Sequence, residues 1–227
     1  MKRIIVSSDS EVSSRERAKI ASKTPDSKEL ARLANDRSRV VRWQVAKNKN
    51  TTPQILAQLS DDKDESVRFN VARHQNVTPE ILAQLANDES NSVRNQVAEN
   101  PNTPLEILAQ LANDEDDYVR WGVARNQNVT PEILEQLIDS EDKLVRMHVA
   151  QNPNVTPEIL AQLADDENKS VRKYVALSRN ATPEILEQLA NDEDALVRWG
   201  VSKNPNTPPE ILEQLRGNSQ ADDLVVM

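Results

Sequence analysis

Cysteine is absent from the 227 residues, so disulfides, thiolate metal sites and cysteine nucleophiles are all excluded. Glycine is almost as scarce, at three residues, and no glycine-rich phosphate loop occurs. Aromatic residues make up only 3% of the chain. The N-terminal apolar run, Ile4 to Val6, is too short for a signal-peptide core, and nothing elsewhere approaches a membrane span. A cytoplasmic protein is therefore expected. The two histidines, His74 and His148, lack further His, Cys or Asp partners at ligand spacing and read as surface or cap residues. The acidic turns lack the glycine and bidentate glutamate of a calcium-binding loop. No metal or other cofactor is expected. Carboxylate pairs recur in every copy of a repeat, whereas a catalytic dyad needs one special environment, so no enzyme activity is expected.

What the chain does contain is a strict period. The dipeptide Val-Arg recurs at 41, 67, 93, 119, 145, 171 and 197, and Ile-Leu recurs at 55, 81, 107, 133, 159, 185 and 211, always 26 residues apart. Seven full copies cover 27–208, and half a copy follows at 209–215. Each copy reads as two short helices. The first opens on Thr-Pro-Glu, as at Thr130, Pro131 and Glu132: an N-cap, a residue preorganised for the first turn, and an acid at the positive helix end. Val129 before the cap is placed to pack on Leu134. The second helix carries Val-Arg-x-x-Val-Ala and stops at Asn-Pro-Asn, as at 152–154, where asparagine tolerates a left-handed conformation. Helices this short do not hold in isolation, but stacked on identical neighbours they bury a continuous core. The fold class expected is an all-α solenoid of seven and a half two-helix repeats. Residues 1–26 read as an N-terminal segment with a degenerate capping helix, because Arg17, Ile20 and Ala21 echo the second helix. Residues 216–227 leave the pattern and read as a frayed, flexible tail.

The recurring order Thr-Pro-Glu-Ile-Leu, acidic turn, Val-Arg-x-x-Val-Ala and Asn-x-Asn resembles the leucine-rich repeat variant family, and its second half is similar to HEAT-like repeats. The resemblance covers nearly all of 27–215. It implies a right-handed superhelix with no sheet, in which one helix of each pair is either α or 3₁₀. Some members of that family hold an iron–sulfur cluster on cysteines, which this chain lacks, so that cofactor is not carried over. HEAT-like solenoids line their inner, concave surface with the second helices.

A residue present in every copy answers to stacking; one that changes between copies answers to something else. The repeated Arg42, Arg68, Arg94, Arg120, Arg146, Arg172 and Arg198 read either as an anion-binding row or, preferably, as a ladder of ion pairs between repeats, for example Asp88 with Arg94 and Asp192 with Arg198. Ser140 stands where the other copies have aspartate, so Arg146 is expected to need another partner. The varying positions form the opposite arc of the second helix. There stand Trp43, Phe69, Asn95, Trp121, Met147, Lys173 and Trp199 at one position, with His148 and Tyr174 at the next and Tyr118 three residues before Trp121. Because tryptophan alternates with asparagine and lysine, this position is expected to be at least partly exposed. Lysine and arginine gather on the same arc, including Arg73, Arg125 and Lys203, while the acidic surplus behind the net charge of −9 lies on first helices and turns.

Binding residues expected on this reading are Trp43, Phe69, Arg73, Tyr118, Trp121, Arg125, His148, Lys173, Tyr174, Trp199 and Lys203. The preferred function is a non-enzymatic scaffold that grips a protein partner with this aromatic, basic face. The alternatives are nucleic-acid or polyanion binding by the same face, and a structural or idealised repeat protein whose rings only fill grooves between repeats.

Overall fold

The computed structural model describes residues 12–225, with side chains described to residue 217. The described residues are helices and connecting turns, with no strand among them. The second helices are α3 (Arg39–Lys47), α5 (Glu65–Ala72), α7 (Asn91–Glu99), α9 (Asp117–Arg125), α11 (Lys143–Gln151), α13 (Lys169–Leu177) and α15 (Ala195–Lys203). The first helices are α2 (Ser27–Leu33), α4 (Pro53–Leu59), α6 (Pro79–Leu85), α8 (Leu105–Leu111), α10 (Pro131–Glu135), α12 (Pro157–Leu163), α14 (Pro183–Leu189) and α16 (Pro209–Val225). Ahead of them stands α1 (Ser14–Lys23). Both members of each pair are α-helical. The chain divides into two compact units, residues 1–107 and 108–227, with the division inside α8.

Within each unit the second helices pack side by side, α1 on α3 on α5 on α7 in the first and α9 on α11 on α13 on α15 in the second. The recurring apolar residues form the floor of this packing: Val41, Val45 and Ala46 are fully buried, as are Leu56 and Leu59, and their apolar equivalents in the other full copies are buried too. The staple residue Val129 and Leu134 are both buried. In unit 1, α1 occupies the place of a second helix: Arg17 Nε donates to Asp36 at 2.6 Å and Ala21 is buried, whereas Ile20 stays exposed.

Within each unit, two arrays of hydrogen bonds tie neighbouring repeats together. In the first, Arg42, Arg68, Arg146 and Arg172 each direct Nη1 to a main-chain carbonyl six residues back and turn Nε and Nη2 toward the aspartate twenty residues ahead. Arg42 with Asp62 (2.5 Å), Arg68 with Asp88 (2.6 Å), Arg146 with Asp166 (2.6 Å) and Arg172 with Asp192 (2.6 Å) are such pairs. The ladder therefore runs one repeat further than expected. Asp88 grips Arg68, not Arg94, which takes the Asp88 carbonyl at 2.9 Å; Asp192 grips Arg172, not Arg198. The aspartates also accept an N–H two residues on, as Asp62 does from Asp64 at 2.9 Å. Burial pushes the Asp62 and Asp192 carboxyls up, but the Arg42 and Arg172 hydrogen bonds and charges outweigh it and hold both below the usual carboxylate range.

The second array consists of asparagine amides. Asn48 Nδ2 donates to the carbonyls of Ala21 (2.7 Å) and Thr24 (2.9 Å), and Asn204 Nδ2 donates likewise to Ala176 and Ser178 (both 2.7 Å). These asparagines end the second helices in extended backbone, Asn48 at φ −72° and ψ 122°, and no described residue has positive φ. The expected left-handed stop is thus replaced by a side chain that bonds the neighbouring repeat. His74 fills the asparagine position in copy two: its Nδ1 accepts the Asn76 N–H and its Nε2 meets the Asn48 carbonyl, both at 2.9 Å. It is a buried asparagine substitute.

Helix starts also differ in detail from expectation. The Thr-Pro-Glu threonines reach the helix N–H only weakly, at 3.4 Å for Thr156 and 3.5 Å for Thr182. In the copies of Thr78, Thr130, Thr156 and Thr182, a hydrogen bond from the threonine and one from the glutamate's own N–H hold Glu80, Glu132, Glu158 and Glu184 below their ordinary range. The second helices are capped by side chains of Asp64, Asp116, Asp142, Asn168 and Asp194.

Copy five breaks the pattern. Ile138 stands where other copies bury Ala86, Ala164 or Ala190, and it is only half-buried. The helix α10 closes after five residues instead of seven. Ser140 Oγ is buried without a hydrogen-bond partner among the described residues. Arg146 is not the residue left short, contrary to expectation, because its partner is Asp166. The shortage falls on Arg120, whose aspartate would stand at 140; it pairs within its own helix with Asp117 and is 20% exposed, against 9% for Arg146. At the other end, the tail expected to fray continues α16 as helix to Val225. Residues 1–11, 226 and 227 lie outside the described residues.

Candidate protein-binding face

The varying arc of the second helices has three zones, set by where each position falls along the helix. Near the N-terminal end of the unit 2 helices, Tyr118 (45% exposed), Leu144 (46%) and Leu196 (54%) project to solvent. They share one repeat position on α9, α11 and α15, with Ser170 at that position on α13, and large apolar side chains displayed in this way mark an interaction surface. Leu144 and Leu196 were legible in the sequence as varying residues at the Tyr118 position, but nothing short of the helix packing singles them out.

The middle zone carries the rings. Tyr118 stacks on Trp121 with centroids 5.4 Å apart, and His148 from the next repeat meets the Trp121 ring edge-on at 5.3 Å. Arg125, one turn further along α9, lays its guanidinium over Trp121 at 4.6 Å. Trp121 is accordingly half-buried. Burial, with the Arg125 charge second, holds the His148 imidazole below its ordinary value. Further along, Lys173 Nζ lies 5.5 Å from the Tyr174 ring and 5.7 Å from that of Trp199. Trp199 is 46% exposed. Gly200 beside it lets α15 approach α13: a Cβ there would sit 3.0 Å from Ala176 Cβ and 3.2 Å from the Lys173 carbonyl oxygen.

The third zone, at the C-terminal ends, carries Arg125, Gln151, Leu177 and the exposed Lys203. In unit 2 the face thus brings Tyr118, Trp121, Arg125 and His148 into one cluster and Lys173, Tyr174 and Trp199 into another. Unit 1 places Trp43, with Lys47 5.1 Å over its ring, beside the exposed Val40; Phe69 is half-buried, and Arg73 is exposed at the end of α5. The expectation that the Trp43 position is everywhere exposed fails at Asn95, which is buried. Some of the basic character is neutralised locally, because the capping aspartates pair with it: Asp64 with Arg39 at 3.3 Å and Asp194 with Lys169 at 2.9 Å. Among the described residues there is no group of three or more His, Asp or Glu able to hold a metal ion, and no helix long and apolar enough to cross a membrane.

Stacked helix pairs with a constant frame and a varying outer arc define a helical repeat scaffold. Residues 92–116 match the family model described as leucine rich repeat variant. A solved structure described as a leucine-rich repeat variant with a novel repetitive protein structural motif is 27% identical, with a TM-score of 0.65 over 89% of this chain and 82% of that one. An X-ray structure of YibA from Escherichia coli is 17% identical over 85% of this chain and 97% of that one, at a TM-score of 0.49. An engineered protein is 20% identical over 89% of this chain and 90% of that one, at a TM-score of 0.24. Among curated proteins, none matches. The repeat at 92–116 is thus of the leucine-rich repeat variant type, and the fold of the chain is similar to that of the solved variant structure.

Proposed function

We propose that this repeat scaffold binds a protein partner, without catalysis, through the varying face of its second helices. The observation that carries the reading is the row of displayed apolar side chains in unit 2, Tyr118, Leu144, Leu196 and Trp199, alongside guanidinium and ammonium groups at the helix ends. The invariant residues alone close the core, so the frame has no need of these side chains. Aromatic and aliphatic anchors beside cations suit a protein surface of mixed apolar and acidic character. In unit 1, Trp43, Phe69 and Arg73 stand at the corresponding positions of the second helices.

A nucleic-acid ligand fits less well, because Asp64 and Asp194 neutralise Arg39 and Lys169 and thin the row of cations that phosphates require.

The test is capture from nuclease-treated extract of the source cells. The triple variant Leu144→Ser, Leu196→Ser, Trp199→Ala should lose its partner while melting within a few degrees of the parent chain. Retained capture would refute the reading. Trp121→Ala is a poorer probe, because its ring also holds Tyr118, Arg125 and His148.

A further inference from the structure

Two hollows lie side by side along the C-terminal ends of the unit 2 second helices, one repeat apart. The first, about 450 Å³, is lined by Trp121, Arg125 and His148 and the second, about 380 Å³, by Tyr174, Leu177 and Arg179. Gln151, Asn152 and Pro153 form the wall they share. The first hollow carries Arg125 with the Trp121 and His148 rings and the second Arg179 with the Tyr174 ring; His148 and Tyr174 hold the same repeat position, whereas Arg125 ends α9 and Arg179 follows α13, one on either side of the shared wall, and neither hollow is lined by a carboxylate. Asn152 is committed to the stack, donating to Ala124 and Asn126 carbonyls at 2.7 and 3.0 Å. The Gln151 amide between the hollows has no hydrogen-bond partner among the described residues.

Resting on the reading above, we propose that this edge takes an extended acidic peptide in polyproline II conformation, with carboxylates three residues apart seated one in each hollow. Side-by-side helices lie about 8–10 Å apart. A polyproline II chain turns once every three residues and rises about 9 Å in doing so, which brings side chains i and i+3 to one face at the spacing of the hollows. In a β-strand, residues i and i+3 point to opposite sides. Arg125, its guanidinium carbon 4.6 Å from the Trp121 ring centroid, and the exposed Arg179 present forked donors suited to carboxylates. The Gln151 amide sits where it can both donate to and accept from the peptide backbone between the two acids.

The test uses the full chain and fluorescein-labelled proline-rich peptides carrying two glutamates two, three or four residues apart, with glutamine versions of each, read by anisotropy at low salt. The three-residue spacing should bind tightest, with the glutamine version about tenfold weaker or worse, as expected for lost bonds to charged groups. Arg125→Ala and Arg179→Ala, both at exposed sites, should each weaken it about tenfold and abolish the spacing preference while leaving the melting temperature unchanged. Absence of binding, indifference to spacing, or stronger competition by single-stranded DNA would overturn the proposal. Loss of partner capture in the Leu144, Leu196, Trp199 variant alongside failure of all peptides would sink only the acidic-peptide proposal; peptide binding with undiminished capture by that variant would sink the broader reading instead.

Discussion

Restoring the missing rung of the arginine ladder should stabilise the chain. Ser140→Asp puts a carboxylate where Asp166 and Asp192 stand in the following copies. Arg120 would then reach it as Arg146 reaches Asp166, through Nε at 2.6 Å and Nη2 at 3.1 Å, keeping Nη1 on the Asp114 carbonyl. The new carboxylate would also accept the N–H two residues on, a bond that Asp166 makes at 2.8 Å and Ser140 does not. Bonds to charged groups contribute about 1.5–3 kcal/mol net. Against this stand the desolvation of the carboxylate and the loss of the exposed Asp117 pair, the latter worth about 1 kcal/mol at most. A net gain of about 1–2 kcal/mol remains, which raises the melting temperature of a chain this size by about 3–6 °C. Scanning calorimetry at neutral pH in low and high salt measures it, and the gain should largely survive salt because the site is mostly buried. Ser140→Ala, which only removes the unsatisfied hydroxyl, should gain less. A Ser140→Asp variant melting at or below the parent chain would refute the reasoning and put the irregularity of copy five on Ile138 instead.

Other consequences can be checked by the same means. His74→Asn should match or exceed the parent in stability, since asparagine makes the equivalent bonds in other copies, whereas His74→Ala should lose about 1–3 kcal/mol by stranding the Asn76 N–H and the Asn48 carbonyl; equal melting of the two variants would contradict this. Gly200→Ala should gain nothing, because the roughly 1 kcal/mol of helix propensity is offset by crowding against Ala176 and the Lys173 carbonyl; a raised melting temperature would contradict it. Urea unfolding across pH should show two stages. The His148 imidazole is depressed in the folded chain, so its contribution is present above about pH 6.5 and is lost as pH falls through the lower folded value. The Asp36, Asp62 and Asp192 carboxyls are depressed too, so theirs is complete above about pH 4 and is lost as pH falls through their folded values. His148→Gln should flatten the first stage only.

The frame was readable because its signals are local. A 26-residue period, Thr-Pro-Glu starts and the buried Val-x-x-x-Val-Ala stripe each depend on neighbours within one copy. The direction of the arginine ladder was not, because it depends on which side-chain nitrogens remain after Nη1 takes its own turn's carbonyl. The asparagine stops were misread for a related reason: the residue that ends a helix can also bond the adjacent repeat, and φ then stays negative. His74 gave no sign of being an asparagine substitute until its two ring nitrogens were placed. Among the site residues, the sequence separated the varying arc from the fixed one, but it could not rank exposure along it. Trp121 and Trp199 occupy the same repeat position, yet His148 packs on the first, which is half-buried, and the second is 46% exposed. The hollows that share Gln151 arise only when two copies are stacked.

The central claim is that a protein docks on the second-helix face, and cross-linking mass spectrometry of the chain with its captured partner tests it most directly. Amine-reactive cross-links should fall on Lys143, Lys169, Lys173 and Lys203, which border the displayed row in unit 2. Cross-links confined to Lys28 and Lys63, on a first helix and an acidic turn, would contradict it.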